Sequence, residues 1–188
     1  MCGRDSQKYL PCKDCAADSA LTGLYALGSY QAPLTKLVKG LKYHGTRQFA
    51  EDAAAALRRQ VAVATESLPP LVTHVPTTNR RERQRSYDQA GLFAKAFASQ
   101  TGLAHHSFLR RNGNIRQVGA DRNGRFAQAE TMFSARRGVQ LAGRDVLLFD
   151  DVFTTGASMF RCARLLRDAG AGSVTGVVIA RKDSVPAA

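Results

Sequence analysis

The sequence predicts an α/β protein, a parallel sheet flanked by helices with a small cysteine-bearing piece at its N-terminus. Three observations predict it. Val146-Leu147-Leu148-Phe149 is a continuous apolar run, as a strand buried on both faces of a parallel sheet requires. Ser158 to Ala169 is helical in pattern, with Phe160, Ala163, Leu165 and Leu166 as core candidates, and Gly170 and Gly172 end it. Val174 to Ala180 is a second apolar strand, so strand, helix and strand follow within about 35 residues as a βαβ unit.

Upstream, residues 1–20 are poor in hydrophobic content and hold Cys2, Cys12 and Cys15, and they read as a separate small module before a domain over residues 21–188. From Tyr30 the pattern turns helical: Leu34, Leu37, Val38 and Leu41 fall on one face. Gly45 ends that helix and Thr46 caps a second, which runs through Phe49 to about Ala64. Pro69-Pro70 breaks the chain, and Leu71 to Val75 reads as a short strand closed by Pro76. Ser86 and Gln89 make a capping box for a helix carrying Tyr87, Ala90, Leu92, Phe93 and Phe97, stopped by Gly102. Leu103 to Leu109 reads as a further strand. Residues 110–128 are polar, basic and without periodicity, a long loop of the kind that is often functional. Cys162 lies in an apolar helical pattern and reads as a buried free thiol.

Composition bounds the function. The 188 residues are 44% hydrophobic and 22% charged, as in ordinary globular proteins. No apolar run approaches the roughly 18–20 residues that span a bilayer, and Met1-Cys2-Gly3-Arg4-Asp5 has no signal-peptide pattern. The expectation is a soluble cytoplasmic protein without membrane insertion. The net charge of +12 favours anionic partners: phosphates, nucleotides or nucleic acid. Arginine dominates two clusters, Arg80, Arg81, Arg83 and Arg85, and Arg110, Arg111, Arg116, Arg122 and Arg125. Its planar fork suits phosphate, although a solvated basic face has the same composition.

The segment richest in chemistry is Asp150-Asp151-Val152-Phe153-Thr154-Thr155-Gly156-Ala157-Ser158. An apolar strand ends in two carboxylates, a turn of small and hydroxyl residues follows, and a helix begins. A helix start offers unpaired N–H groups and the positive end of a dipole, which suit a phosphate. Thr154, Thr155 and Ser158 add hydroxyl donors, and Gly156 and Ala157 let backbone come close to a ligand. Asp150 and Asp151 repel phosphate, so they suit ribose hydroxyls or a bound Mg²⁺. Together these residues ask for a phosphate with a sugar diol beside it. A plain helix cap is the competing explanation, but two adjacent acids at the end of a buried strand are costly without partners. The lysine of a P-loop is missing after Gly156, and Gly170, Gly172 and Gly176 have the wrong spacing for a dinucleotide fingerprint.

Leu147 to Ser158 resembles the phosphoribosyl pyrophosphate (PRPP) signature of type I phosphoribosyltransferases. Nearly the whole chain resembles the ComF family of amidophosphoribosyltransferase-like competence proteins. The resemblance rests further on the N-terminal cysteines, Leu41-Lys42-Tyr43, Val75-Pro76 with Arg85 to Gln89, and Arg110 through Gln117 and Arg125 to Phe133. It implies a type I phosphoribosyltransferase-like fold, PRPP and Mg²⁺ binding, a zinc-binding N-terminus and a link to DNA uptake. Asp150 and Asp151 then become the catalytic acids. Pro76, Thr77 and Arg80 become the pyrophosphate loop with Arg85 nearby, and Gln117 with Arg116 and Arg125 becomes a lid over 110–128. Arg85-Ser86-Tyr87-Asp88-Gln89 departs from the family's Arg-Gly-Phe-Asn-Gln, and Ala120 and Gln128 stand where Leu and Asn are usual.

Cys12-x-x-Cys15 is half of a zinc ribbon, and Cys2-Gly3 resembles the end of a Cys-x-x-Cys-Gly knuckle whose first cysteine would fall two residues before Met1. Cys2, Cys12 and Cys15 leave a structural Zn²⁺ one ligand short of its usual four; His44 or water is a possible fourth. Two functions follow as expectations: a Mg²⁺-dependent phosphoribosyltransferase with an unidentified acceptor, or a single-stranded-DNA-binding accessory of the DNA-uptake proteins. Tyr87, Phe108 and Phe126 near the arginine clusters permit the second.

Overall fold

The computed structural model of the chain describes residues 19–36, 38, 47–61, 69–77, 87–112 and 130–182. Four parallel strands form the central sheet in the order β1, β6, β5, β2: β1 is Gly23–Ser29, β2 Leu71–His74, β5 Val146–Phe153 and β6 Val174–Arg181. Helices flank it, among them α1 at Arg47–Arg58, α2 at Gln89–Thr101 and α3 at Ala157–Asp168. A two-stranded antiparallel ribbon pairs β3, Leu109–Arg111, with β4, Phe133–Ala135.

The predicted βαβ unit is β5–α3–β6. Its strands are central, so each face of β5 packs into a different core, as the unbroken apolar run requires. Val146 and Leu148 meet Met159, Cys162, Ala163 and Leu166 of α3 on one side. Leu147 and Phe149 meet Leu57 of α1 and Phe93 and Phe97 of α2 on the other. The rings of Phe93 and Phe97 lie 5.0 and 5.1 Å from that of Phe149, the first edge-on. Cys162 is fully buried and free, as its place in the apolar pattern suggests.

This layering positions the site. From β2 the chain passes to α2 on one face of the sheet, and from the neighbouring β5 it passes to α3 on the other. The connections diverge between adjacent parallel strands, which opens a crevice at their carboxyl ends, where ligands of α/β proteins bind.

Four expectations need correction. β5 does not stop at Phe149: it runs through both acids to Phe153, because Asp150 and Val152 keep ladder partners in Val178 and Ala180 of β6. Leu103 to Leu109 is not a regular strand. Only a short stretch around His105 bridges Val72, through Val72 N–H to Ala104 O and His106 N–H to Val72 O, both 2.9 Å. The cap of α2 is Asp88 rather than Ser86, since the Asp88 carboxylate accepts the Gly91 N–H at 3.1 Å. Gly102 does end that helix, in the left-handed conformation at φ 71°. Finally, β1 was not foreseen. Its residues are anchored by β6, opposite which Gly23 to Ser29 run in register.

Candidate functional site

Asp150, Asp151, Thr154 and Ser158 line a cavity of about 350 Å³, and Pro76 and Thr77 from the end of β2 line the same cavity. Two segments some seventy residues apart in sequence, read separately as a sugar-phosphate loop and a pyrophosphate loop, thus open into one space. Thr155 lies in the turn, and Gly156 and Ala157 are buried at the helix start.

Asp150 and Asp151 are each fixed from below. One oxygen of Asp150 accepts the Asp151 N–H and one oxygen of Asp151 accepts the Val152 N–H, both at 2.8 Å. Burial, then repulsion from Asp151, pushes the Asp150 carboxyl well above the ordinary carboxylate range. A hydroxyl pair or a cation brought to this point would relieve that repulsion.

The Thr154–Ser158 turn owes its shape to two rings. Gly156 has φ 80°, and a Cβ there would sit 2.5 Å from the Phe153 ring and 2.6 Å from the Phe160 ring. Its lack of a side chain therefore first serves packing against these rings, which the reading of Gly156 as room for a ligand did not include.

Asp88 is a site residue that the sequence reading passed over. Besides capping α2, its other oxygen accepts the Thr77 N–H at 2.9 Å and so ties the loop after β2 to the helix start. His74 Nε2 lies 3.7 Å from that oxygen, and His74 Nδ1 is 3.2 Å from Nε2 of the stacked His105 ring. The available signal was the string Asp88-x-x-Gly91, since Asp is a strong cap residue; the Ser86/Gln89 template masked it.

Burial first, then the neighbouring His74, Lys95 and His106, lowers His105 to about 4. A histidine held neutral by the fold is protonated more readily when unfolded, so stability falls as pH drops from about 6.5 towards 4. Urea-unfolding midpoints across that range should fall less steeply for His105→Gln than for the parent chain.

Arg111, on β3, also lines the acid cavity, with its guanidinium 5.1 Å from the centre of the Phe133 ring. Of the other expected site residues, Arg80, Arg85, Gln117, Cys2, Cys12 and Cys15 lie outside the described residues, as do Arg81, Arg83, Arg116, Arg122, Arg125, Phe126 and His44. Among the described residues no group of three or more His, Cys, Asp or Glu side chains is placed to hold a metal by itself.

No protein-family model matches the chain. It is 27% identical over 177 residues to the DNA utilization protein YhgH of Salmonella typhi, covering 92% of this chain and 74% of that one. It is 24% identical over 189 residues to the competence protein ComFC of Bacillus subtilis, covering 96% and 76%. Over most of its length the chain is thus similar to competence and DNA utilization proteins of the ComF type. Among solved structures, the glutamine PRPP amidotransferase of B. subtilis aligns with a TM-score of 0.48 at 24% identity over 69% of this chain. That alignment takes up only 25% of the longer amidotransferase chain. Where the ComF family usually has Asn, this chain has Asp88, whose two oxygens accept two backbone N–H groups at once. An asparagine has a single carbonyl oxygen for that task.

Proposed function

We propose that the cavity between β2 and β5 binds PRPP with Mg²⁺ and supports transfer of its phosphoribosyl group to an unidentified acceptor. The observation that carries this reading is the opening of the Asp150–Ser158 loop and the Pro76–Thr77 loop into one cavity. The 5-phosphate rests on the first turn of α3 with the hydroxyls of Thr154, Thr155 and Ser158. The ribose hydroxyls donate to Asp150 and Asp151, and the pyrophosphate lies toward Thr77. Arg80, Arg85 and Gln117 complete that end by resemblance alone.

In the transfer, the bond from ribose C1 to the pyrophosphate oxygen breaks as the acceptor's nucleophile forms its own bond to C1. The acids hold the diol while positive charge develops on the ring, and pyrophosphate leaves with the bonding electrons. The donor set suits Mg²⁺, which takes oxygen ligands and is commonly held by one or two carboxylates plus substrate phosphates. Asp150 and Asp151 supply the carboxylates; burial and then the neighbouring Asp151 charge raise Asp150, and a cation offsets both. Mg²⁺ would neutralise charge on the pyrophosphate as it departs. A zinc site at Cys2, Cys12 and Cys15 belongs to the same reading, as a structural element of the N-terminal module.

Calorimetry with PRPP and Mg²⁺ tests the proposal. Asp150→Asn with Asp151→Asn should weaken binding by about 100-fold or more, because hydrogen bonds to charged acceptors contribute roughly 1.5–3 kcal/mol each. The same variant should melt higher than the parent at neutral pH. A carboxyl whose ionisation the fold resists costs stability when charged, and the cost fades as pH falls through its raised value. Undiminished binding in a folded double variant refutes the assignment.

The likeness to a DNA utilization protein and a competence protein supports a place in DNA uptake, and a cytoplasmic location belongs to the same proposal. A second reading, a non-enzymatic single-stranded-DNA accessory on the same fold, is favoured by the net charge of +12. Binding of a single-stranded oligonucleotide that weakens linearly with the logarithm of salt concentration supports it, and no binding at low salt removes it.

A further inference from the structure

Across Thr77 from the acids lies a larger cavity of about 560 Å³. Pro76, Thr77, Asp88 and Arg111 form the partition between the two, since they line both. The chambers differ in sign. The first holds Asp150 and Asp151; the second is lined by Lys95 of α2, Arg110 and Arg111 of β3, and Arg136 beyond β4.

We infer that the basic chamber is a second ligand site, for a small phosphate-bearing molecule with a flat or apolar body. Three features carry this. Among the described residues Asp88 is the only carboxylate lining the chamber, and its oxygens already accept the N–H groups of Thr77 and Gly91. Among the described residues, no carboxylate lies within ion-pair distance of Lys95, Arg110 or Arg136. The two outer arginines are held by one corner only: Arg110 Nε donates to Ser134 Oγ at 2.8 Å, and Arg136 Nε donates to the Leu109 carbonyl at 3.3 Å. Anchoring at Nε fixes each guanidinium plane and leaves its terminal amino groups for an anion, and a fixed fork loses little freedom on binding. Repulsion between cations gathered in one concavity is relieved by a multiply charged anion and not by a neutral ligand. Leu92, Leu109 and the Tyr87 side chain add apolar wall, and Ser107 adds a hydroxyl. The volume falls in the range of small-molecule sites, roughly 300–1,000 Å³.

This inference goes beyond the PRPP reading and does not need it. The probe is phenyl phosphate, which offers a phosphate and a ring but no sugar diol for the acid pair. It is titrated into the full chain while backbone amides are followed by NMR. We expect saturable shifts at Lys95, Ser107, Arg110 and Arg136. Lys95→Gln with Arg136→Gln should weaken binding at least tenfold, and Lys95→Arg should preserve it. Asp150→Asn with Asp151→Asn should change it less than twofold, although that variant loses PRPP under the reading above, so the two ideas fail separately. Shifts confined to Thr154–Ser158, no saturable binding, or parental affinity in the folded cation variant overturns the inference. So does an oligothymidylate that saturates the same four amides at concentrations a hundredfold lower, since the surface would then be a nucleic-acid contact.

Discussion

Phe149→Ala should lower stability by about 3–5 kcal/mol, the range for emptying a buried aromatic position. The residue is 0% exposed and stands where both helices of one layer meet the sheet. Its ring takes the edge-on contact from Phe93 and a tilted contact from Phe97, and such pairs add roughly 0.5–1.5 kcal/mol beyond the area they bury. Its backbone is also committed, for its carbonyl accepts the Val75 N–H at 2.9 Å at the point where β2 gives way to Pro76 and Thr77. Against a total of about 5–15 kcal/mol for a domain, the loss is about a fifth or more. Thermal unfolding should shift down by roughly 10 °C for a chain of this size. Leu27→Ala, on the edge strand and only partly buried, is the comparison and should shift it much less. Equal shifts in the two would show that the packing described around Phe149 does not hold the sheet.

Gly156→Ala should be nearly as damaging, by a different route. The left-handed backbone costs a residue with a side chain about 1–2 kcal/mol. The added methyl would also enter the space of Phe153 and Phe160, whose rings lie 5.9 Å apart nearly perpendicular. Overpacking of this kind costs about 1–3 kcal/mol, so the sum is about 2–5 kcal/mol. Phe160 is in α3, so any ring movement also displaces the first turn, and ligand binding should fall together with stability. A second substitution, Phe160→Leu, makes room and should recover part of the loss. Recovery is the readout that separates crowding from backbone strain, because strain at the left-handed position persists in the double variant.

The parts of the fold that the sequence revealed are those with one environment along their whole length. β5 and β6 are enclosed on both faces, so nearly every position is apolar and the run is visible without context. β1 is different. Its string Gly-Leu-Tyr-Ala-Leu-Gly-Ser has two glycines and a terminal serine, an edge position and only its first two residues buried, so no period marks it. Gly28 is there because Leu34 packs on it, with a Cβ meeting Leu34 Cδ1 at 3.0 Å, a tertiary reason absent from local pattern. β3 and β4 are three residues each and too short to show alternation. In the site, the acids and the hydroxyl turn were legible because their chemistry is contiguous. Asp88 was not, because its importance lies in reaching Thr77 eleven positions back. The basic chamber was half legible: Arg110 and Arg111 stood out within an arginine cluster, but Lys95 and Arg136 join them only in the folded chain, where they line the same cavity.

Asp150 is a rung of the sheet, opposite Val178, while Thr154 four positions later is exposed in a turn. Under the proposed function, the hold on the sugar is thus built into the sheet, whereas the contacts to the phosphate it carries sit on an exposed turn. Substitutions at Thr154 should therefore leave the sheet intact, whereas substitutions at Asp150 act on a residue that is also part of its ladder.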